Sequence, residues 1–239
     1  MANNNFSRPD DFERRAAKYG PVSRLLLERY GIPTWRPYLA PLDELVDCIL
    51  SQSTNDANRD RAFDGLKARF SSWEAVRDAD VGDVIDAIKP AGLANQKAPR
   101  IQQVLRTITE QRGSLTIDFL DALELEEARA WLVSLDGVGP KTAAIVLCFA
   151  FNRPAFPVDT HIHRLGQRIG FVPAGITAEK AHPLMEAIVP PQDHYAFHLN
   201  MIRHGREICH ARKPECERCP LTVCCDYYAE LVSPEHDRP

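Results

Sequence analysis

The pentapeptide Gly137-Val138-Gly139-Pro140-Lys141 constrains the fold of this chain more than any other stretch. Before it, Leu125, Ala128, Leu132 and Leu135 recur at helical spacing, and after it Pro140 opens an apolar run to about Phe151. Two helices must therefore meet at a tight, glycine-hinged turn. Glycine permits φ > 0 and close approach of the backbone to another molecule. The N–H groups of Val138, Gly139 and Lys141 are accordingly expected to point outward as an anion site, with phosphate the natural occupant. A helix N-terminus disfavours an added positive charge, which favours the neutral, nucleophilic form of Lys141. A solvated lysine on a glycine-capped surface hairpin is the plainer reading of the same residues.

Eighteen positions after Lys141 stands Asp159, in Pro157-Val158-Asp159-Thr160-His161. An amine and a carboxylate sharing one pocket are what imine-forming chemistry on a sugar aldehyde requires. Asp159 is also well placed to cap a helix that begins at Thr160. His161 and His163 read as hydrogen-bonded helix residues rather than metal ligands.

Near the C-terminus, Cys209, Cys216, Cys219 and Cys225 are separated by six, two and five residues in a segment rich in Arg and Pro. Unpaired cysteines otherwise behave as small buried hydrophobes spread along helices, as Cys48 and Cys148 do, so this density signals a metal site. Zinc and an iron–sulfur cluster both accept four thiolates. Only Cys216 and Cys219 form a Cys-x-x-Cys pair, which favours [4Fe–4S] over structural zinc, and Cys224 competes with Cys225 as the fourth ligand. Four cysteines in one loop leave no open position for substrate, so the centre reads as structural. A disulfide framework is disfavoured because no secretory signal is seen and the chain is long enough to fold without staples.

The remaining sequence is helical in pattern, with no persuasive strand. Leu42, Leu45, Val46, Ile49 and Leu50 mark one amphipathic helix, Val81, Val84, Ile85 and Ile88 a second, and Ile101, Val104, Leu105 and Ile108 a third. Turn residues at Ser71-Ser72, Pro90-Ala91-Gly92 and Arg112-Gly113-Ser114 separate them. A compact helical domain over about residues 40 to 153 is expected, with an N-terminal helix over about Asp10 to Tyr30 and a disordered tail over Pro234 to Pro239. At 239 residues, 44% hydrophobic and 26% charged, the composition is that of an ordinary globular protein. No apolar run reaches membrane-spanning length, and the polar start Met1-Ala2-Asn3-Asn4-Asn5 is unlike a signal peptide, which points to a reducing, cytoplasmic location. A formal charge of −4 argues mildly against nucleic acid, but Arg203, His204, Arg206, His210, Arg212 and Lys213 crowd one short stretch, and binding depends on local charge.

Taken together, these segments resemble the endonuclease III family of DNA glycosylases, within the helix-hairpin-helix superfamily. Leu135 to Ala143 looks like the family hairpin with its catalytic lysine, and Val158-Asp159-Thr160-His161 like the segment holding its catalytic aspartate. His204-Gly205-Arg206 with Cys209 through Cys225 is similar to the family's cluster loop, which favours Cys225 as fourth ligand. Gly92-Leu93-Ala94-Asn95-Gln96-Lys97-Ala98 matches a turn into a helix beside the DNA. The likeness spans about residues 40 to 228.

The resemblance implies an all-α, two-domain fold. A helical barrel with the hairpin would cover 40–153, and a discontinuous domain of 1–39 and 154–239 would carry a [4Fe–4S] cluster, with a DNA groove between them. It further implies a monomer, at the nucleoid in a prokaryote, that excises damaged, oxidised pyrimidines from double-stranded DNA. Lys141 is then the nucleophile at C1′ of a flipped nucleotide and Asp159 its acidic partner, with β-elimination following base loss. DNA contacts are expected from Gln52, Leu93, Asn95, Lys97, Gly137, Val138, Gly139, Thr142, His161, Arg206, Arg212 and Lys213, with Leu93 as a wedge. Two departures stand out: Asp136 replaces the family's usual Pro, and the Gln that fills the vacated space sits one place off, leaving Gln52 or Ser53 for that role. A mismatch- or uracil-directed glycosylase and a noncatalytic DNA-binding protein are the competing readings; the former usually has Ser or Tyr where this chain has Lys141.

Overall fold

The computed structural model describes residues 8–233, so the expected tail and the first five residues lie outside the described residues. It is helical throughout, with no strand among the described residues. Two compact units emerge, one of Pro37–Arg153 and one combining Met1–Arg36 with Pro154–Pro239.

In chain order, α1 (Phe12–Ala17) and α2 (Tyr19–Tyr30) open the second of these units. The single helix expected over 10–30 is thus two helices meeting at Lys18, whose ammonium is drawn to Asp226 Oδ1 at 2.5 Å and Cys224 O at 2.8 Å. Pro41 at the first turn then starts α3 (Pro41–Ser51) of the other unit, and eight residues of that helix are buried. Asn55 accepts the N–H of Asn58 to start α4 (Asp56–Arg69), and Ser72 accepts that of Ala75 to start α5 (Trp73–Asp78). These two helices have weak apolar periodicity and escape the sequence pattern. Next come α6 (Val81–Ile88), α7 (Ala94–Arg112) and α8 (Leu125–Val133). Helix α9 (Pro140–Ile145) passes into a π turn over Val146–Ala150, where a regular helix to Phe151 was expected. Leu45, Ile49, Ile88, Ile101, Leu105 and Leu132 meet in this unit's core, all fully buried.

The other unit resumes with α10 (Thr160–Ile169), α11 (Ala178–Ile188), α12 (His194–Glu207) and α13 (Asp226–Leu231). Val22 and Leu26 of α2 pack with Phe156, Ile162, Leu165 and Phe197 in one core, so the two ends of the chain share a hydrophobic centre. Helix α12 packs on α10 at Gly205, where an added Cβ would stand 3.0 Å from His161 Nδ1 and 3.1 Å from Arg164 Nη2. Any larger residue there would have to push these two side chains aside by a few tenths of an ångström.

Candidate active site and cysteine cavity

The hairpin between α8 and α9 has Gly137 at φ +71°, as its sequence required. The Val138 N–H, however, donates to Leu135 O at 3.1 Å, and the Val138 side chain is 4% exposed. Val138 therefore closes the turn from within and offers no donor to a ligand. Gly139 and Lys141 donate their N–H groups to no backbone carbonyl among the described residues, and Lys141 itself is exposed at the second position of α9. Thr142, expected as a phosphate contact, is 6% exposed and turned into the unit.

The end of α3 shows how the neighbouring loops are held. A helix C-terminus leaves four carbonyls without helical partners. Here Cys48 O accepts from Ser51 Oγ at 2.7 Å, Ile49 O from the Gln52 N–H and Ser51 O from the Thr54 N–H, each at 3.4 Å, while Leu50 O accepts from Lys97 Nζ at 2.7 Å. The same ammonium donates to Ala91 O at 2.9 Å, and Lys97 is 1% exposed. Burial lowers its pKa. Lys97 is thus an interior clamp, not the DNA contact expected of it. The periodicity contained the reason: Lys97 falls in phase with Ile101, Val104, Leu105 and Ile108 on the buried stripe of α7.

What the clamp secures is the turn carrying Leu93. This side chain is 51% exposed and sits at φ +49°, a left-handed conformation that costs a non-glycine residue about 1–3 kcal/mol. Such exposure excludes the core-packing role open to it on sequence. Asn95, two residues on, is exposed. Gln52 turns its side chain to the hairpin, donating from Nε2 to Gly137 O at 3.1 Å and accepting at Oε1 from Arg100 Nη1 at 3.3 Å. Ser53 is exposed at φ +55°. Sequence reasoning passed over Arg100, because an arginine on a long polar helix carries no signal of its own.

In the other unit, Asp159 caps α10, its Oδ1 accepting the Ile162 N–H at 2.7 Å. The segment before it is clamped from inside, with His198 Nδ1 3.0 Å from Pro157 O, His182 Nδ1 3.1 Å from Phe156 O, and Glu186 Oε1 accepting the Phe156 N–H at 2.9 Å. His161 is half-buried, its Nδ1 3.1 Å from Arg164 Nη2, and burial lowers its pKa. Arg206, Arg212 and Lys213 are exposed.

Cys209, Cys216, Cys219 and Cys225 line a single cavity with Ile208, Pro214, Tyr227 and Tyr228. Cys224 does not line it; its Sγ points to Leu221 O at 3.4 Å. Of the two candidates for fourth ligand, Cys225 is the one that shares the cavity with the other three cysteines. Among the described residues no three His, Cys, Asp or Glu side chains close around a single ion, whereas four thiols lining one cavity suit a four-iron cluster, which would take one thiolate per iron. Burial pushes the Cys219 thiol up to about 11 and raises Cys216 and Cys225, so the bound iron must displace their protons. N–H donors already face the sulfurs. Arg168 Nη1 lies 3.2 Å from Cys209 Sγ, and His204 Nε2 lies 3.4 Å from Cys219 Sγ, with His204 Nδ1 3.1 Å from Tyr30 Oη. Burial brings His204 down to about 4, which keeps the imidazole neutral. The [4Fe–4S] cluster held here supplies a rigid, charged core for a loop with little apolar content of its own.

Comparison with known proteins agrees with both sites. Residues 46–191 match the HhH-GPD superfamily of base excision DNA repair proteins, and residues 209–222 match the iron–sulfur binding domain of endonuclease III. Endonuclease III of Thermotoga maritima is 34% identical over 79% of this chain and 84% of its own length. A putative DNA glycosylase of Arabidopsis thaliana is also 34% identical, over 72% of this chain but 59% of its own length. Among solved structures, a trapped endonuclease III–DNA covalent intermediate superposes with a TM-score of 0.75 at 25% identity, covering 90% of this chain and 99% of the other. No helix among the described residues is long and apolar enough to cross a membrane. With its glycine hairpin, its capping aspartate and its four-cysteine cavity, the chain belongs to the HhH-GPD superfamily of base excision DNA repair proteins and carries the endonuclease III iron–sulfur domain.

Proposed function

We propose that this protein excises damaged pyrimidines, oxidised ones in particular, from double-stranded DNA and then cleaves the strand, with Lys141 as nucleophile and Asp159 as its acidic partner. The observation that carries this reading is the exposed amine at the start of α9, beside the two hairpin N–H groups left without backbone partners. Those N–H groups, from Gly139 and Lys141, suit a DNA phosphate, which would fix the backbone beside the amine.

The target nucleotide leaves the stack at a cost of a few kcal/mol, least at a weakened pair. Leu93, exposed and held in a strained turn, is the wedge, and Gln52 occupies the vacated space. Lys141 Nζ then bonds to C1′ as the base departs with its electron pair and a proton. Asp159 offsets positive charge on the sugar and accepts a proton from the amine. Ring opening leaves an imine, which acidifies the C2′ proton. Loss of that proton expels the 3′ phosphate. Asp159 has one carboxylate oxygen on the Ile162 N–H, which fixes the side chain and leaves the other oxygen for this role.

Borohydride trapping tests the assignment. Wild-type protein gives a covalent adduct with an abasic duplex and Lys141→Gln gives none, with thermal stability retained; normal trapping by the variant refutes the nucleophile. Asp159→Asn slows base release far more than it weakens binding, and an equal loss of both makes Asp159 merely structural. Parallel duplexes with thymine glycol, uracil or a G:T mismatch identify the preferred lesion.

A further inference from the structure

Arg100 joins Asp136, beside the hairpin, to Gln52 at the end of α3. Its Nη1 reaches Gln52 Oε1 at 3.3 Å, and its Nε stands 3.8 Å from Asp136 Oδ2, buried and without a hydrogen-bond partner. Its stem runs beneath the hairpin so closely that a Cβ on Gly137 would fall 2.2 Å from Arg100 Cδ. At the other end of the Gln52 amide, Nε2 donates to Gly137 O at 3.1 Å.

The amide is therefore held by a donor at its oxygen and an acceptor at its nitrogen. Turning it over would set the NH₂ group against a guanidinium and the oxygen against a carbonyl. Its polarity is fixed. A glutamine amide has two N–H donors and two acceptor lone pairs, so one of each remains after these contacts, in a set spatial order. A donor and an acceptor side by side are what paired hydrogen bonding to a base edge needs.

We propose that Arg100 is a positioning residue that orients Gln52 to read the base opposite the excised nucleotide, and that its charge also offsets Asp136 next to the phosphate-binding hairpin. This rests on the assignment of Lys141 and on Gln52 entering the vacated space. Gln52 is preferred to Ser53 for the reading role because Ser53 is exposed and makes no side-chain hydrogen bond among the described residues.

Single-turnover base release, measured with each of the four bases opposite one lesion, tests the proposal, with trapping on single-stranded abasic DNA as the companion measurement. The single strand has no opposite base, so it reports Lys141 alone. Wild type is expected to favour one opposite base over another by about fivefold or more. Arg100→Leu in an Asp136→Asn background, where no carboxylate is left uncompensated, brings that ratio to within about twofold and leaves single-strand trapping unchanged. Gln52→Ala likewise lowers the ratio, and combining it with the Arg100 change lowers it no further. A wild type indifferent to the opposite base, or an Arg100 variant that keeps the full ratio, overturns the proposal while leaving Lys141 in place. Absence of single-strand trapping by wild type overturns the Lys141 assignment and this proposal with it. Should Arg100→Leu fail to fold, Arg100→Lys retains the charge and stem without the planar fork, and must still lower the ratio.

Discussion

Replacing Lys97 by Met discriminates between an interior clamp and a DNA contact. Methionine matches the length of the side chain but donates nothing, so Leu50 O and Ala91 O lose partners now at 2.7 and 2.9 Å. An acceptor stranded in the interior costs about 1–3 kcal/mol. Two such losses, offset in part by no longer burying a cation, leave a net destabilisation of about 3 kcal/mol, or a fall in Tm of roughly 6–12 °C for a chain of this size. Thermal and urea unfolding of the holoprotein measure it directly. The second arm is the salt dependence of binding to a duplex between 50 and 200 mM. A lysine on phosphate contributes about 0.9 to the log–log slope, whereas a buried clamp contributes none, so the slope of Lys97→Met equals that of wild type. Affinity for damaged DNA still falls, because the turn presenting Leu93 loses its anchor. Full stability combined with a slope reduced by about 0.9 refutes the clamp.

Three further outcomes follow from the geometry. Gly137→Ala forces an L-residue to φ +71° and drives a methyl into the Arg100 stem, so stability drops by at least the 1–2 kcal/mol of a left-handed residue; a variant within 0.5 kcal/mol of wild type in urea contradicts the hairpin packing. Burial pushes Glu44 up to about 7 and Asp47 up to about 6, so between the unfolded and folded values the native state binds more protons. The contribution of this pair is then fully present below about pH 4 and declines as pH rises towards 7; Glu44→Gln removes up to about 3 kcal/mol of that decline, and a variant whose stability follows the same pH dependence as wild type contradicts the reading. Cys225→Ser loses iron and visible absorbance, whereas Cys224→Ser keeps both, and the reverse pattern in an iron assay reverses the ligand assignment.

The hairpin, the cysteine cavity and most core stripes were legible because each depends on residues close in sequence with one dominant physical cause. Gly137 needed positive φ, and the apolar phase of α3, α6 and α7 needed a buried face. Legibility failed where a polar group found a partner that no pattern in the sequence announces. The Val138 N–H looked open until Leu135 O closed over it. Lys97 read as a surface cation although its phase on α7 placed it inside, because nothing in the sequence pointed to Leu50 O and Ala91 O. Arg100 gave no signal, since its role comes from Gln52, 48 positions earlier, and from Asp136. The choice between Cys224 and Cys225 required seeing which thiol turned toward its companions.

The line from Tyr30 through His204 to Cys219 has a bearing on how the protein is made. Tyr30 ends α2 and Cys219 lies in the cluster loop, so α2 finds these partners only after the residues between them have been synthesised. Lys18 waits likewise for Cys224 and Asp226. Residues 37–153 form their own contacts in the meantime, and such long sequence separations slow assembly. The cysteine loop is thus one of the surfaces against which α1 and α2 settle, which ties the docking of these helices to the ordering of that loop.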